Sequence, residues 1–222
     1  MRTCELHDLG RMGYRQAFAL QTELVSKRKA GEIPDQLLFV EHPHVITLGR
    51  NAHEENVLFS REALSSAGVE VCETDRGGDV TYHGPGQIVG YPIFDLREWR
   101  RDVGAYLRGI ERALIGTLAD FGIEGQPAPG ATGVWVGGAK VAAIGVHLSR
   151  WVSSHGFALN VDTNLDYFRY IVPCGLTKPV TSLRALACDA RHDEVRESLT
   201  ASFAEVFDLE ILAPVGALER TR

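Results

Sequence analysis

Apolar residues recur at helical spacing in several stretches of the chain. Ser60 and Asp102 stand where N-cap residues are expected, and glycines follow the ends of three of these stretches. The spacing predicts helices at residues 14–29, 60–67, 103–121 and 180–187, with a last helix that Asp193 caps and that carries Val195, Leu199, Phe203 and Val206 on one face.

Short runs rich in β-branched and aromatic residues alternate with these helices and predict strands. Gly137-Gly138 is a hairpin turn signal, so the runs on either side of it are expected to pair antiparallel. The fold class that follows is α+β, a mixed β-sheet with helices packed against it. The predicted strands are residues 36–41, 45–48, 68–72, 88–94, 133–136, 140–148 and 151–161.

We expect a single catalytic domain over residues 1–213. Residues 214–222 form a C-terminal tail that is expected to be loosely held. The loop at residues 126–130 is only a weak candidate for a domain boundary, since the chain contains no repeat and no low-complexity linker.

Composition and charge narrow the function classes. The 222 residues are 45% hydrophobic and 23% charged, and the net charge of -6 argues against broad nucleic-acid binding. No apolar run is long enough to span a bilayer, so no membrane association is expected. The four cysteines are far apart in sequence, which predicts reduced thiols and a cytoplasmic location.

The most unusual stretch is glycine-rich: Arg76-Gly-Gly-Asp-Val-Thr-Tyr-His-Gly-Pro-Gly-Gln87. Glycine lets backbone N–H groups approach another molecule closely, and the stretch also carries Thr81, Tyr82 and His83. The pattern is explained about equally well by a ligand-binding loop and by a tight hairpin with a bulge. Its glycine spacing matches neither a P-loop nor a dinucleotide-binding motif.

Two other clusters of polar residues can be interpreted either as functional sites or as ordinary surface features. His42-Pro-His44 has the form of a zinc-binding pair, but without further ligands at useful spacing a surface turn is favoured. Arg97, Arg100, Arg101 and Arg108 cluster at the start of the long helix. They form either a solvated face, which local pattern favours, or a docking patch for an acidic partner.

Cys174 and Lys140 are the candidates for covalent chemistry. Pro173 and Gly175 flank the Cys174 thiol, which becomes a nucleophile only as a thiolate beside a cation or base. A Lys140 half-buried at the start of an apolar strand would lose solvation, its pKa would fall, and it would accept a proton. A buried inert thiol and a solvated lysine are the alternatives, and His83, His147 or His155 could also pair with the cysteine. Cys4, Cys72 and Cys188 are expected to be buried small hydrophobes.

Taken together, several motifs resemble the lipoyl(octanoyl) transferase family. They occur in matching order between about Leu37 and Leu183. The motifs are the glycine-rich stretch, Gly138-Ala-Lys140, Ala143-Ile-Gly145, His155-Gly-Phe-Ala-Leu-Asn160 and Pro173-Cys-Gly175, with Glu41 to Gly49 upstream and Val180-Thr-Ser-Leu183 downstream.

The resemblance implies the fold of biotin and lipoate protein ligases and the transfer of an octanoyl group. The donor would be octanoyl-acyl carrier protein, the acceptors lipoyl domains of 2-oxoacid dehydrogenase E2 subunits and the glycine cleavage H protein. The enzyme would be a monomer without a cofactor. Cys174 would be the acyl-thioester nucleophile and Lys140 the residue that lowers its pKa. The implied substrate-binding residues are Arg76, Gly77, Gly78, Asp79, Val80, Thr81, Tyr82, His83, Ala143, Ile144, Gly145, Gly156, Phe157 and Ala158.

One position departs from the family pattern. Phe157 stands where a smaller aliphatic residue is common, which puts the shape of the acyl pocket and the preferred chain length in question. Val141, Ile144 and Phe157 are expected to form apolar walls for the acyl chain.

Three other functions remain as alternatives. An ATP-dependent lipoate ligase of the same fold would need an adenylate site and no nucleophilic cysteine. A cysteine acyl-thioesterase would use water as the final acceptor. A non-catalytic module that binds carrier proteins would have no reason to combine Lys140 with Cys174.

Overall fold

The structure is a computed structural model that describes residues 1–172 and 179–212. Helices and strands alternate along these residues, as the apolar pattern predicts. The helices are α1 (Tyr14–Ala30), α2 (Arg61–Ser66), α3 (Val103–Asp120) and α4 (His192–Phe207). The strands are β1 (Arg2–Arg11), β2 (Asp35–Glu41), β3 (Val45–Leu48), β4 (Glu70–Glu73), β5 (Val80–His83), β6 (Gln87–Ile93), β7 (Gln126–Ala128), β8 (Ala131–Val136), β9 (Ala139–Ser149), β10 (Val152–Asn160) and β11 (Leu209–Leu212).

A mixed eight-stranded sheet forms the centre of the molecule, in the order β11-β1-β2-β6-β10-β9-β8-β7. Strands β2, β6, β10, β9 and β8 pair antiparallel in succession, whereas β1 pairs parallel with both β2 and β11. The hairpin expected at Gly137-Gly138 joins β8 to β9. The α+β prediction of a mixed sheet with flanking helices is confirmed.

The two faces of this sheet are covered by different elements. Alternation along a strand sends successive side chains to opposite faces. On one face, Phe94, Phe157 and Leu159 pack with residues of α3 and α4 such as Leu114 and Phe203. On the other face, a cluster that includes Val89, Tyr91 and Ala158 packs with α1.

A second, three-stranded sheet lies beside the first, in the order β4-β3-β5. Strand β3 pairs parallel with β4 and antiparallel with β5. Because β5 is Val80–His83, the glycine-rich stretch is not only a connection between two strands. Its middle is itself a strand, preceded by the turn at residues 77–79 and followed by the turn at residues 84–86.

Local capping explains where two of the predicted helices begin. The Ser60 hydroxyl accepts a hydrogen bond from Ala63 N–H at the start of α2, and the Asp102 carboxylate accepts one from Ala105 N–H at the start of α3. The predicted start of the last helix is wrong by two positions, because the N-cap residue is Arg191 and not Asp193. The helix begins at His192, so Asp193 lies in the first turn, and the Glu194 carboxylate accepts a bond from Arg191 N–H.

Other sequence expectations also differ from the structure. The predicted helix at residues 180–187 is only a single 3₁₀ turn (Arg184–Leu186), because Val180 forms a bridge to Lys140 and Leu183 N–H is bonded to Asn160 O. Strands β1, β5, β7 and β11 have no counterpart among the predicted strands. Residues 214–222, the expected tail, lie outside the described residues.

None of the helices in the described part of the chain is long and apolar enough to cross a membrane.

Candidate active site

A cavity with about 800 Å³ of empty space, part of it open to solvent, lies between the large sheet, the small sheet and the start of α1. Its walls come from β5, β6, β9 and β10, together with residues from the loops on either side of these strands. The lining residues are Tyr14, Arg76, Gly77, Gly78, Thr81, Tyr82, His83, Gln87, Val89, Tyr91, Thr132, Lys140, Ala143, Ile144, Gly145, His155, Gly156, Phe157, Ala158, Asn160, Phe168 and Val180.

The Arg76 side chain is buried and holds the glycine-rich stretch in place. Its Nε donates to Thr47 Oγ1 at 3.0 Å, and its Nη2 donates to the carbonyl oxygens of Thr47 (2.6 Å) and Asp79 (2.7 Å). A further bond joins Nη1 to Gly77 O at 3.1 Å. The guanidinium therefore links strand β3 to the backbone turn that borders the cavity.

The glycine-rich stretch crosses strand β9 in direct backbone contact. Gly77 N–H donates to Val146 O at 2.9 Å, and a Cβ added to Gly145 would lie 2.8 Å from Gly77 O. A side chain at Gly145 would thus force the two segments apart. Glycine is required here because two backbones meet, which explains the Ala143-Ile-Gly145 motif in physical terms.

The cavity lies on the α1 face of the large sheet. Ala143 and Ala158 are register partners on β9 and β10, and Ala158 belongs to the cluster that packs with α1. Ile144 and Phe157 are the next register pair, so their side chains point to the opposite face, where the Phe157 ring stacks on Phe203 at 5.4 Å.

The predicted apolar walls need correction as a result. Val141 lies in the core with α3 and α4 and does not line the cavity. The side chains of Ile144 and Phe157 pack against that same core, although both residues border the cavity from their strands. The small side chains of Ala143 and Ala158, with Val89, Val180 and Phe168, form the apolar wall instead.

Buried histidines and tyrosines form one side of the cavity. His83 Nδ1 lies 3.2 Å from Gln87 Oε1, and the His83 ring stacks on Tyr14 with centroids 6.0 Å apart. Burial holds the pKa of His83 well below its usual value, and the nearby His42 lowers it further. His83 is therefore a neutral group at pH 7.

His42 lies behind this wall and is fully buried, so the surface turn expected for His42-Pro-His44 is wrong at its first histidine. His42 Nδ1 donates to Met12 O at 2.7 Å, since a carbonyl can only accept, and Nε2 accepts from the Tyr91 hydroxyl at 2.7 Å. Burial lowers the pKa of His42 to about 4. Within residues 1–172 and 179–212, no group of three or more metal-ligating side chains is arranged to hold an ion.

His155 is held in a backbone conformation that is unusual for a side-chain-bearing residue, with φ at 55°. Gln21 Oε1 accepts from its N–H at 2.8 Å, and its Nε2 donates to Asp75 Oδ1 at 2.7 Å. Burial lowers the pKa of His155, although the Asp75 carboxylate opposes this shift. Asp75 also lies 3.5 Å from His147 Nε2, so one carboxylate ties the glycine-rich segment to both β9 and β10.

Lys140 is half-buried in the cavity wall at the start of β9. Its N–H donates to Pro179 O at 2.8 Å, and its carbonyl accepts from Thr181 N–H at 2.9 Å. Its Nζ lies 4.9 Å from the centroid of the Trp135 ring. The lysine is thus fixed beside residues that follow the Pro173-Cys-Gly175 motif closely in sequence. Cys174 itself lies outside the described residues.

Most of the predicted substrate-binding residues line this one cavity, and two do not. The Asp79 carboxylate accepts from His53 N–H and Asn56 Nδ2, which fixes the loop after β3. The Val80 side chain is fully buried in the core of the small sheet. Both residues shape the turn before β5 instead of facing a ligand.

Several cavity residues are not among the predicted site residues: Tyr14, Gln87, Val89, Tyr91, Thr132, His155, Asn160, Phe168 and Val180. Of these, Gln87, His155, Asn160 and Val180 stand in the motifs that carry the family resemblance, and His155 is also a predicted alternative partner for the cysteine. Tyr14 is the first residue of α1, and nothing in its local pattern distinguishes it from a core residue. Asn160 gives a weak signal, because an amide at the end of a fully buried strand needs partners; it accepts from Gln87 Nε2 and donates to Thr181 O.

The three cysteines within the described residues lie away from the cavity. Cys4 and Cys72 are buried, and burial raises the pKa of both thiols, to about 12 for Cys72. Cys188 is partly buried against the main core. For Cys4 and Cys72, the buried thiol predicted from sequence is what the structure contains.

Comparison with known proteins adds a family and a set of relatives. Residues 13–204 match the family described as lipoyl protein ligase A/B catalytic domain. A protein named octanoyltransferase from Solibacter usitatus (strain Ellin6076) is 62% identical over 212 residues, covering 96% of each chain. Another octanoyltransferase, from Gloeobacter violaceus (strain ATCC 29082 / PCC 7421), is 48% identical and covers 99% of this chain and 96% of its own.

Among solved structures, the bipartite lipoate protein ligase from Thermoplasma acidophilum superposes with a TM-score of 0.79. The match covers 96% of this chain and 86% of the other, at 17% identity. At that identity the likeness shows the shared fold alone, and the fold expected from the motif resemblance is confirmed.

Proposed function

The chain belongs to the family of the lipoyl protein ligase A/B catalytic domain and, with its octanoyltransferase relatives, is an acyltransferase. We propose that it transfers an octanoyl group from octanoyl-acyl carrier protein to a lysine ε-amine of a lipoyl domain. The transfer proceeds through a thioester on Cys174, with Lys140 as the group that moves the proton.

The observation that carries this proposal is the position of Lys140. A lysine side chain that is half-buried in the wall of an apolar cavity is beside the place where an acyl chain would be held. The backbone of Lys140 is hydrogen-bonded to Pro179 and Thr181, the residues on either side of Val180. These residues lie close in sequence to the cysteine motif. A base, a thiol and an apolar acyl site are the parts that thioester exchange needs.

In the first half-reaction, neutral Lys140 takes the proton of the Cys174 thiol. The thiolate attacks the carbonyl carbon of the donor thioester, so that a new C–S bond forms as the bond to the carrier sulfur breaks. The leaving carrier thiolate takes the proton back from Lys140. One thioester replaces another, and no external energy source is required.

In the second half-reaction, the neutral amine of the acceptor lysine attacks the acyl-enzyme. A C–N bond forms, the C–S bond breaks, and the proton lost by the amine passes through Lys140 to the Cys174 thiolate. The product amide is more stable than the thioester, which drives the transfer forward. The enzyme returns to its starting protonation state.

The apolar wall supplies binding energy for the acyl chain. Ala143, Ala158 and Val89 offer contact to methylene groups, each worth about 0.8 kcal/mol when fully buried. The proposed acceptors are the lipoyl domains of 2-oxoacid dehydrogenase E2 subunits and the glycine cleavage H protein. The enzyme is proposed to act as a cytoplasmic monomer.

The arginine cluster at the start of α3 remains a candidate docking patch for these partners. Arg97 is bonded to the Asp95 carboxylate and Arg100 lies 3.8 Å from Asp102, which reduces the charge each offers. Reversing the charge of Arg100 and Arg101 together tests the patch. Unchanged affinity for the carrier protein would remove it from the account.

Two arguments favour the transferase over the ligase and over the binding module. The sequence relatives that cover nearly the whole chain are named octanoyltransferase, whereas the solved lipoate ligase structure is similar at only 17% identity. A nucleophilic Cys174 would lack a purpose in a ligase, and its combination with Lys140 would lack one in a module that only binds. The transferase proposal uses both.

A transfer assay with two donors tests the proposal. The chain is mixed with an apo-lipoyl domain and either octanoyl-acyl carrier protein without ATP, or free octanoate with ATP and Mg²⁺. We expect octanoylation of the domain, read by its mass, only with the carrier-protein donor. Modification only with octanoate and ATP would establish a ligase, and release of octanoate without modification would establish a thioesterase.

A further inference from the structure

Residues 74–78, called here the end-wall segment, meet the cavity through Arg76, Gly77 and Gly78, which line it where the segment crosses strand β9. We propose that this segment sets the longest acyl chain the enzyme accepts, and that Thr47 is a positioning residue that holds it through Arg76. This inference rests on the proposed acyl transfer.

The end-wall segment borders the cavity where it meets strand β9. Gly77 and Gly78 line the cavity, and Gly77 is bonded to Val146 O and lies against Gly145. A Cβ on Gly49 would overlap Gly78 O on the other side of the segment. The segment is therefore wedged between β9 and the residue that follows β3, with no space on either side for a side chain.

Side-chain tethers fix the segment along its length. The Tyr14 hydroxyl donates to Thr74 Oγ1 at 3.3 Å, and the Asp75 carboxylate accepts from His155 Nε2 at 2.7 Å. The strongest group of bonds is that of Arg76 to both the side chain and the carbonyl of Thr47. The wall is thus held by α1, β10 and β3 together, which makes its position well defined.

The register of β9 relates this wall to the length of an acyl chain. Ala143 is three residues from Lys140 and Gly145 is five, so they lie about 10 Å and about 17 Å along the strand. An extended octanoyl chain spans about 9 Å, from seven C–C bonds of about 1.5 Å. With its carbonyl beside Lys140, the chain reaches about as far as Ala143 and Ala158 and ends about 8 Å short of the wall. Since an extended chain advances about 1.3 Å per C–C bond, a chain about six carbons longer would meet Gly77.

A substitution at Thr47 can change the position of the end-wall segment without removing any contact to the substrate. Its side chain is fully buried in β3 and does not line the cavity. Replacing Thr47 by Val keeps the shape and removes the oxygen that accepts from Arg76 Nε. Any change in chain-length preference must then be transmitted through Arg76 to the end-wall segment.

The test compares hexanoyl, octanoyl, dodecanoyl and hexadecanoyl thioesters of acyl carrier protein as donors, with an apo-lipoyl domain as acceptor. Of these chains only hexadecanoyl is long enough to meet the wall. Because each methylene that must be accommodated is worth about tenfold or more in kcat/KM, we expect Thr47→Val to raise the hexadecanoyl-to-octanoyl ratio about tenfold. Thr117→Val is the matched control. Thr117 is equally buried, in α3 on the opposite face of the sheet, and its hydroxyl is bonded to Ala113 O.

A second variant tests the same limit on acyl-chain length by shortening the cavity. Ala158→Val fills the channel before the wall, so it is expected to favour hexanoyl over octanoyl transfer and thereby move the preference toward shorter chains. A hexadecanoyl-to-octanoyl ratio in Thr47→Val within about twofold of wild type would overturn the inference. So would an equal shift in Thr117→Val. If the wild-type chain transfers none of the four acyl groups, the proposed acyl transfer itself is contradicted. A wild-type chain that transfers octanoyl normally leaves only the limit on chain length to be tested.

Discussion

The Nζ atom of Lys140 lies 4.9 Å from the centroid of the Trp135 ring. An aromatic face at this distance stabilises an ammonium group by about 0.5–1 kcal/mol, and by more where water is excluded. In the proposed mechanism, this favours the state that exists after Lys140 has taken the thiol proton. The indole is therefore part of the reason why Lys140 suits the role of proton acceptor.

Replacing Lys140 by Met tests its role in proton transfer. Met keeps most of the aliphatic stem and removes the base, so kcat for octanoyl transfer should fall by about 10²- to 10⁴-fold, the usual worth of a positioned general base. Steady-state rates with octanoyl-acyl carrier protein measure the effect. Lys27→Met, at an exposed lysine of α1 paired with Glu23, is the control and should retain full activity. A loss of about threefold or less in Lys140→Met would remove Lys140 from the mechanism.

Replacing Phe157 by Leu tests which face of the sheet its side chain serves. Since the ring stacks on Phe203 and covers Gly90, the change should lower the unfolding free energy by about 1–3 kcal/mol. It should leave the ratio of decanoyl to octanoyl transfer unchanged. Chemical denaturation and acyl-chain competition measure the two quantities. A shifted chain-length preference at full stability would show instead that the ring belongs to the acyl pocket.

The buried His42 makes stability depend on pH. Its pKa falls from 6.5 in the unfolded chain to about 4 in the folded protein. The unfolded state therefore binds the extra proton first, and stability is complete above about pH 6.5 and lost as pH falls toward 4, by about 3 kcal/mol. Burial of His83 acts in the same direction.

Denaturation of wild type and His42→Gln at pH 7 and pH 4 measures this contribution. A glutamine side chain does not titrate in this range, so the variant should lose about 3 kcal/mol less than wild type over the interval. An equal loss in both proteins would mean that His42 has the same pKa in the folded and unfolded states.

A buried ion network joins the N-terminus to the sheet and predicts a large stability effect. The Asp35 carboxylate is 1% exposed and accepts from Arg28 Nε at 2.9 Å and Asp95 N–H at 2.8 Å. Asp35→Ala leaves the buried Arg28 without this partner and should cost about 3–5 kcal/mol in the unfolding free energy. Glu70→Ala, which breaks an exposed pair with Arg15, should change the melting temperature little. Similar small effects in both variants would contradict the account.

The elements with strong local signals are the ones that can be predicted from sequence. Helix α3 has a capping Asp102 and a continuous apolar stripe, and the β8–β9 hairpin has Gly137-Gly138. Strand β1 escapes prediction because its residues are largely polar and its pairing partners lie at β2 and β11. Its secondary structure is decided by contacts distant in sequence, which a local pattern does not contain.

The candidate site shows the same division. The glycines of the motif and Lys140 are predictable because backbone contact and a lysine in an apolar strand leave local traces. Tyr14, Tyr91 and the buried His42 are not, since only the folded chain brings them together. The bonds from Arg76 to Thr47 could not be predicted either, because the two residues are 29 positions apart in the sequence.

The most direct test of the central claim is the intact mass of the enzyme after mixing with octanoyl-acyl carrier protein, for wild type and Cys174→Ala. The account predicts one added octanoyl group on wild type, none on the variant, and loss of the adduct when an apo-lipoyl domain is added. Transfer to the lipoyl domain by Cys174→Ala at the wild-type rate would contradict the thioester mechanism.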